Sequence, residues 1–302
     1  MKYPRKLENN DIVGITAPSA GVGKYIDEYY KSIENIKNSG FKVIETENVK
    51  SKKEVSSSKK QRVKELNDLL LDDNVKAIVF YRGGYGAIRT MDYLDFDEIR
   101  KHPKWIVGYS DVTTLHLALQ RAGMESVHAA MLNSYWMTRR PDSAAITVSD
   151  ALFGRLKGYH INPHPYNKLG EVTGKIAGGN MTLISIAEGT SYNLPVDDNT
   201  ILFIEEVGEN MNAADGMMQQ LKKSGKLGKA KAVLVGNMTR IRDDEDPWNI
   251  TPQELIKRYT DELDVPVVFG FPSGHSRPNY AIYLGREVHL SVREDGVDLK
   301  FL

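Results

Sequence analysis

Ser110 is the residue of this chain whose surroundings point most clearly to chemistry. A short apolar run, residues 105–107, predicts a buried strand before it, and residues 112–121 predict a helix after it. The tight Gly-Tyr-Ser-Asp turn between them presents the Ser110 side chain at the carboxyl end of the strand and places the amide of Asp111 at a helix N-terminus. This geometry suits a serine nucleophile beside an oxyanion site. It also suits an ordinary helix N-terminus, in which Ser110 or Asp111 caps the first turn. The motif is not the full Gly-x-Ser-x-Gly, because Val112 replaces the second glycine.

A glycine loop follows another predicted strand. Residues 77–80 form an apolar run that ends in Tyr-Arg-Gly-Gly-Tyr-Gly, which contains Arg82, Gly83 and Gly84. The loop lacks the Lys-Ser/Thr of a phosphate-binding loop and the full spacing of a dinucleotide fingerprint. We therefore interpret it as backbone that approaches a ligand closely, and its amides are candidates for a second oxyanion donor beside Ser110.

A serine nucleophile needs a base and an orienting acid, and the second half of the chain offers both. A buried-type strand, residues 201–204, runs into Glu205 and Glu206, and His275 lies in a Gly/Ser/Pro loop after another apolar strand. Strand alternation does not distinguish the two glutamates, because adjacent residues face opposite sides of a strand. The order Ser, Glu, His along the chain is that of nucleophile, orienting acid and base in one large hydrolase class.

The remaining histidines are interpreted as structural. His160 and His164 lie close together in a polar segment, but no third ligand at a suitable spacing accompanies them, so we expect surface histidines and no metal site. The others occur in ordinary surface or core patterns: His102, His116, His128 and His289. The chain has no cysteine, which excludes disulfides, thiolate catalysis and cysteine-based zinc sites.

The elements that must position these residues predict an α/β fold. Strand and helix patterns alternate from residue 11 to residue 121, which indicates a mostly parallel, doubly wound sheet whose ligands bind at the carboxyl ends of its strands. Residues 154–170 are rich in Gly, Pro, Asn and His without periodicity, and we interpret them as a linker between an N-terminal domain, 1–153, and a C-terminal domain, 171–302. The tail alternates in β fashion around a hairpin signal at residues 293–296.

Composition narrows the classes of function. The 302 residues are 41% hydrophobic and include 40 basic and 40 acidic side chains, so the formal net charge is zero. This balance gives no electrostatic footprint for nucleic acid or an anionic membrane. The first residues lack an apolar signal core, and no apolar run approaches the ~18 residues of a spanning helix, so a cytoplasmic location is expected.

Several segments, in order along the chain, resemble the LD-carboxypeptidase family of serine peptidases, which includes muramoyltetrapeptide carboxypeptidases and microcin C self-immunity hydrolases. The matching segments are residues 11–19 (DIVGITAPS), 81–86 (YRGGYG), 108–111 (GYSD), 178–180 (GGN), 203–206 (FIEE) and 274–275 (GH). The resemblance implies a Rossmann-like N-terminal domain, a smaller mixed α/β C-terminal domain, a cleft between them, no metal or other cofactor, and a homodimer.

The same resemblance implies roles for individual residues. Ser110 would be the nucleophile, His275 the general base and then acid, and Glu205 the acid that orients His275. Glu205 is preferred over Glu206 because it occupies the family position.

The resemblance also implies how the substrate is held. An oxyanion hole would be formed by the backbone amides of Asp111 and of a glycine of the pair Gly83 and Gly84. Family members act on peptides with a free terminal carboxylate, for which Arg82 is the expected electrostatic partner.

The expected substrate is a muropeptide tetrapeptide, from which the enzyme removes the terminal D-alanine next to an L-centre. Residues 178–180 and 205–209 favour this branch of the family. Two segments depart from it: residues 128–131 read His-Ala-Ala-Met where the branch tends to have His-Gly-Pro-Met, and Asn-Ala at 212–213 replaces a Tyr-Arg pair.

Two alternatives stay open at this point. One is a microcin C-type hydrolase that cleaves an aminoacyl-nucleotide amide, for which Tyr135 and Trp136 are candidate base-stacking residues. The other is a catalytically inactive peptide-binding protein on the same fold.

Overall fold

The computed structural model describes residues 3–51, 58–135, 143–243 and 247–302. Within these ranges it contains a sheet of six strands and a sheet of seven, both packed with helices. No helix in the described part of the chain is long and apolar enough to cross a membrane. The α/β class predicted from the sequence is therefore confirmed.

The first sheet is built mainly from the N-terminal half of the chain. Its strands are β1 (Ile12–Thr16), β2 (Lys42–Glu45), β3 (Val75–Phe80), β4 (Trp105–Gly108), β5 (Ser126–His128) and β11 (Ile282–Leu284). Their order is β2-β1-β3-β4-β5-β11, with parallel pairing from β2 to β5 and antiparallel pairing at β11. This is a doubly wound order, in which ligands bind beyond the carboxyl ends of the strands.

Helices connect the strands of the first sheet. They are α1 (Ile26–Asn38), α2 (Lys59–Leu71), α3 (Ile88–Met91), α4 (Phe96–Ile99), α5 (Thr113–Arg121), α6 (Leu132–Tyr135) and α7 (Ser143–Leu152), with 3-10 turns at Glu47–Lys50 and Ser110–Val112. Helix α5 is buried on all sides, since every residue from Thr113 to Gln120 is buried. It therefore gives the turn at Ser110 a rigid support.

The second sheet is mixed. Its strands are β6 (Gly158–Ile161), β7 (Gly170–Asn180), β8 (Thr200–Val207), β9 (Ala232–Thr239), β10 (Val267–Val268), β12 (Glu287–Arg293) and β13 (Gly296–Phe301). The order is β10-β9-β8-β7-β12-β13-β6, parallel from β10 to β7 and antiparallel beyond it. Its helices are α8 (Met181–Ala187), α9 (Met211–Lys223), α10 (Lys226–Lys229) and α11 (Pro252–Thr260).

Two details of this sheet bear on the sequence predictions. The hairpin is confirmed, because β12 and β13 pair up to Arg293 opposite Gly296. The segment interpreted as a linker, 154–170, contains strand β6, which pairs with β13. Tyr159 of β6 packs its ring against Phe271 and Phe301. This short strand is therefore stabilised by residues more than a hundred positions away in the sequence.

The two sheets share a core. Helix α5 packs against β7 and α8, and one buried cluster contains Leu117 of α5, Met181 of α8 and Leu202 of β8. The amide of Asn180, at the end of β7, donates to Thr113 Oγ1 at 3.2 Å. The carboxyl end of the second sheet is thereby fixed beside the helix that follows Ser110.

Candidate active site

Ser110 lies at the carboxyl end of β4, on the turn that leads into α5. Its φ is 61°, in the left-handed region that a residue with a side chain rarely adopts. Strained backbone of this kind persists where the surrounding structure enforces it, and it aims the serine side chain away from the strand. This is the backbone geometry that a serine nucleophile requires, and we refer to residues 109–112 as the nucleophile turn.

The glycine loop after β3 lies directly against this serine. A Cβ added at Gly83 would be 3.1 Å from Ser110 Oγ, so only glycine lets the backbone approach so closely. Gly84 faces the loop after β1 instead, where an added Cβ would lie 3.1 Å from Ala20 Cβ. Of the two glycines expected near the oxyanion site, Gly83 is the one in contact with Ser110.

His275 and Glu205 form a hydrogen-bonded pair. Nδ1 of His275 lies 2.7 Å from Oε2 of Glu205, which is fully buried near the end of β8. A carboxylate only accepts hydrogen bonds, so this contact puts the proton on Nδ1 and leaves Nε2 as an acceptor. The other oxygen, Oε1 of Glu205, is buried and has no hydrogen-bond partner among the described residues.

The loop that carries His275 is held by its neighbours. Oδ1 of Asn279 accepts from the amide of Gly274 at 2.9 Å, and Oδ1 of Asn237 accepts from the amide of Ser276 at 3.3 Å. A Cβ added at Gly274 would lie 2.8 Å from Oε2 of Glu205, so a glycine there lets the loop pack on the carboxylate. The imidazole is thus fixed from both sides while 14% of the His275 side chain stays exposed.

Tyr109 joins the nucleophile turn to the histidine loop. Its ring centroid lies 4.7 Å from that of His275. The two residues line a cavity of about 260 Å³ together with Ala130, Ser276 and Arg277, among others. Within the described residues no hydrogen bond links Ser110 to His275, and such catalytic contacts are often long until substrate binds.

Glu206 faces the other side of β8 and has different partners. It accepts hydrogen bonds from Nδ2 of Asn180 at 3.0 Å and from the amides of Thr182 and Val207 at 2.7 Å each. Burial raises the pKa of this carboxyl, and the hydrogen bonds oppose that shift. Glu206 therefore joins β8 to the start of α8 and forms no hydrogen bond with His275.

Arg82 adjoins Gly83 in the glycine loop. It is partly buried, and within the described residues its guanidinium has no hydrogen bond or ion pair. An arginine without such a partner is available to an anionic group of a ligand.

Among the described residues, no other histidine forms a hydrogen bond with Ser110 or Glu205, although the ring centroid of His128 lies 5.9 Å from that of Tyr109. His116 is buried in α5, between Ser126 Oγ at 2.8 Å and the carbonyl of Gly108 at 2.9 Å, and burial lowers its pKa to about 4. His128 is also fully buried, which lowers its pKa well below the usual value. His160 is a surface residue that pairs with Asp298. No group of three potential metal ligands occurs in the described ranges.

The segments that bear on substrate choice are only partly described. Trp136 and the side chain of Tyr135 lie outside the described residues. Ala130 is buried and lines the cavity beside His275. Asn212, at the start of α9, accepts a hydrogen bond from Nε1 of Trp248 at 2.8 Å.

Sequence reasoning missed several residues that shape the site. Tyr109, Asn237 and Asn279 give no signal, because their contacts depend on the placement of loops from both sheets. The sequence predicts an oxyanion role for the backbone amide of Asp111, or a helix cap, but it does not predict that this residue is buried. In the sequence, the only sign of it is an acidic residue that follows a serine between an apolar strand and an apolar helix.

Fold and site together define an enzyme of the serine-peptidase class. Residues 13–129 match the LD-carboxypeptidase N-terminal domain and residues 173–290 match the LD-carboxypeptidase C-terminal domain. The chain therefore belongs to the LD-carboxypeptidase family, as its motifs indicated.

Individual relatives cover nearly the whole chain. A probable murein peptide carboxypeptidase of Bacillus subtilis is 28% identical over 297 residues, which is 96% of this chain and 92% of the relative. The microcin C7 self-immunity protein MccF of Escherichia coli is 22% identical, covering 92% of this chain and 90% of its own. The fold is similar to that of muramoyltetrapeptide carboxypeptidase from Oxalobacter formigenes, with a TM-score of 0.85 and 23% identity over 96% of this chain and 98% of that one.

Proposed function

We propose that this enzyme is a serine carboxypeptidase that removes the terminal D-alanine from the L-centre of a murein tetrapeptide, in the recycling of murein peptides. The observation that carries the proposal is the 2.7 Å contact between His275 and the buried Glu205, beside the Ser110 turn. Ser110 and the His275–Glu205 pair follow strands of different sheets, and the ring contact between Tyr109 and His275 supports a shared task at the junction.

The roles follow from the chemistry of each group. Oγ of Ser110 attacks the carbonyl carbon of the scissile amide while Nε2 of His275 takes its proton. Glu205 holds the imidazole in the required tautomer and stabilises the imidazolium. The proton then passes to the leaving nitrogen, D-alanine departs, and a water molecule hydrolyses the ester on Ser110 by the same steps to release the tripeptide.

The negative charge on the former carbonyl oxygen needs donors already in place. The amide of Asp111, at the start of the turn into α5, and an amide of the loop at Gly83 are the proposed donors. The contact between Gly83 and Ser110 supports this assignment, because both donors must lie near the atom that attacks.

Arg82 is proposed to bind the free carboxylate of the terminal D-residue. We expect Arg82→Gln to raise KM at least about tenfold with a smaller effect on kcat, because one charge-assisted contact contributes about 1.5–3 kcal/mol. The matched control is Arg277→Gln, which removes a charge from the cavity beside His275. An increase in KM confined to Arg277→Gln would contradict the role of Arg82.

One second function has a specific observation in its favour. The similarity to MccF extends over most of the chain, and residues 129–130 and 212–213 depart from the murein-cleaving pattern. The second candidate is therefore hydrolysis of an amide between an aminoacyl group and a nucleotide-like moiety.

Mass spectrometry of reaction products separates the two functions. The enzyme and its Ser110→Ala variant are incubated with a muramyl tetrapeptide and, separately, with an aminoacyl-sulfamoyl adenosine. Release of D-alanine by the wild type alone supports the proposal. Cleavage of the adenosine conjugate alone would assign the second function, and no cleavage of either would favour a peptide-binding protein.

A further inference from the structure

A buried carboxylate lies directly behind the nucleophile turn and takes no part in the Ser-His-Glu chemistry. The side chain of Asp111 is 2% exposed. Its Oδ2 accepts hydrogen bonds from Oγ of Ser19 and from the amide of Ala87, the latter at 2.9 Å. Burial of a carboxylate without hydrogen-bond partners destabilises the folded state, so both donors are needed to keep this side chain buried.

The two donors belong to loops that follow two other strands. Ser19 is in the loop after β1, and Ala87 ends the glycine loop after β3, whereas Asp111 itself is in the turn after β4. One carboxylate therefore joins the carboxyl ends of three neighbouring strands. Gly84, in the middle of the glycine loop, packs on the same place, where an added Cβ would lie 3.4 Å from Ser19 Cβ.

A buried arginine completes the cluster. Arg62 of α2 is 3% exposed, and its Nη1 donates to the carbonyls of Pro18 at 2.8 Å and Gly86 at 3.4 Å. Burial raises the pKa of Asp111, while the two hydrogen bonds and the charge of Arg62 oppose that shift. The arginine thus links the same two loops through their backbone carbonyls.

We propose that the side chain of Asp111 is a positioning residue that holds the glycine loop, and with it the amide at Gly83, at a fixed distance from Ser110. This inference rests on the proposed function, since it assigns the geometry of the oxyanion hole to a specific carboxylate. Donors held in place before the reaction stabilise the tetrahedral state without reorganisation. A loop released from Asp111 still binds the peptide but no longer aims its amide at the oxyanion.

The variants Asp111→Ala and Asp111→Asn test the inference against a matched control. Asp95→Ala also removes a carboxylate that accepts two hydrogen bonds, both at 3.0 Å, from the amides of Asp97 and Glu98 at the start of α4. The readouts are kcat, KM for the murein tetrapeptide, and the inhibition constant of an acyl-side peptide that ends in a boronic acid, which forms a tetrahedral adduct with a reactive serine.

We expect Asp111→Ala to lower kcat about 100-fold, the effect of losing one oxyanion donor, with little change in KM. The inhibition constant of the boronate should rise by the factor by which kcat/KM falls, because both report tetrahedral-state binding. Asp111→Asn keeps an acceptor oxygen of the same shape and should restore most of the activity. Asp95→Ala should have wild-type kcat.

Three results would overturn the inference: wild-type kcat in Asp111→Ala, a loss of kcat with unchanged boronate affinity, or an Asn variant as impaired as the Ala variant. If Asp111→Ala does not fold, Ser19→Ala removes one of the two donors with a smaller perturbation. Ser19→Ala should lower kcat without raising KM, and a wild-type kcat in this variant would also overturn the inference. Turnover by Ser110→Ala would instead refute the proposed function itself.

Discussion

The adjacent carboxylates Glu205 and Glu206 offer a sharp test, because the structure gives them opposite surroundings. In the part of the chain that the structure describes, the Glu205 carboxylate has one hydrogen bond, to His275, and one buried oxygen without a partner. Glu206 accepts three hydrogen bonds from residues of its own sheet and of α8. Replacing each in turn by glutamine changes one oxygen to NH₂ and removes one charge, so the two variants are matched in chemistry.

Glu205→Gln impairs catalysis in either orientation of the new amide. If its carbonyl faces Nδ1 of His275, the charge that stabilises the imidazolium is gone. If its NH₂ faces Nδ1, the proton moves to Nε2, which can then no longer accept the proton of Ser110. Loss of the orienting acid in a serine triad costs about 10⁴ in kcat, or about 5.4 kcal/mol, and we expect a loss of about 10³ to 10⁴ here.

Glu206→Gln should affect stability instead. In the wild type a backbone amide donates to each oxygen of Glu206, so the new NH₂ group would face a donor in either orientation. A buried donor without an acceptor lowers the free energy of unfolding by about 1–3 kcal/mol. We expect a melting temperature several degrees below that of the wild type and a kcat within about tenfold of it, because Glu206 has no hydrogen bond or ion pair with His275.

The assay combines steady-state release of D-alanine with thermal unfolding of the same protein samples. The expected pattern is an inactive Glu205→Gln with a melting temperature near that of the wild type, and an active Glu206→Gln with a lower one. A Glu205→Gln variant with near-normal kcat would refute the assignment of the orienting acid. Equal losses of kcat in both variants would show that the two carboxylates do not have separate tasks.

Three further predictions concern substitutions at Ser110, Gly83 and His116. Ser110→Gly and Ser110→Ala should both be inactive, but the glycine variant should be the more stable by about 1 kcal/mol, because φ is 61° at this position; equal melting temperatures would contradict the strain. Gly83→Ala should lower kcat at least about tenfold, since the added Cβ would lie 3.0 Å from Ser110 Cβ and displace the loop; wild-type kcat in a folded variant would count against the close approach. Burial lowers the pKa of His116 to about 4, so its unfolded form, with a pKa of about 6.5, binds the proton more readily. The contribution of His116 to the free energy of unfolding is therefore fully present above about pH 6.5 and falls by up to about 1.4 kcal/mol per pH unit between pH 6.5 and 4. In urea unfolding measured across this range, the free energy of unfolding of His116→Gln should decrease less with falling pH than that of the wild type. An equal decrease in both proteins would refute this origin.

Local patterns predicted the elements that carry the nucleophile. An apolar strand, a four-residue turn and an apolar helix follow one another in residues 105–121, and the short-range physics of this segment is enough to place Ser110 on a turn. The doubly wound order of the first sheet also follows from alternating strands and helices. The carboxylate that meets His275 could not be derived in this way, because Glu205 and Glu206 differ only in the face of β8 they occupy.

The features of the fold that the sequence does not predict are mostly contacts between residues far apart in the chain. Strand β6 is ordered by β13, and strand β11 leaves the second half of the chain to pair with β5 in the first sheet. An ion pair between the partly buried Arg286 and the buried Glu125, with Nη2 2.6 Å from Oε2, holds β11 beside β5. None of these contacts has a local signature, since each joins residues more than a hundred positions apart.

The most direct test of the Ser-His-Glu mechanism is to map the site of a covalent adduct. The wild type and the variants Ser110→Ala and His275→Ala are treated with diisopropyl fluorophosphate, followed by intact-mass measurement and peptide mapping. The mechanism predicts one adduct on Ser110 of the wild type, none in Ser110→Ala, and strongly slowed labelling of His275→Ala, because the serine is a weak nucleophile without its base. An adduct on another residue, or equal labelling rates with and without His275, would contradict it.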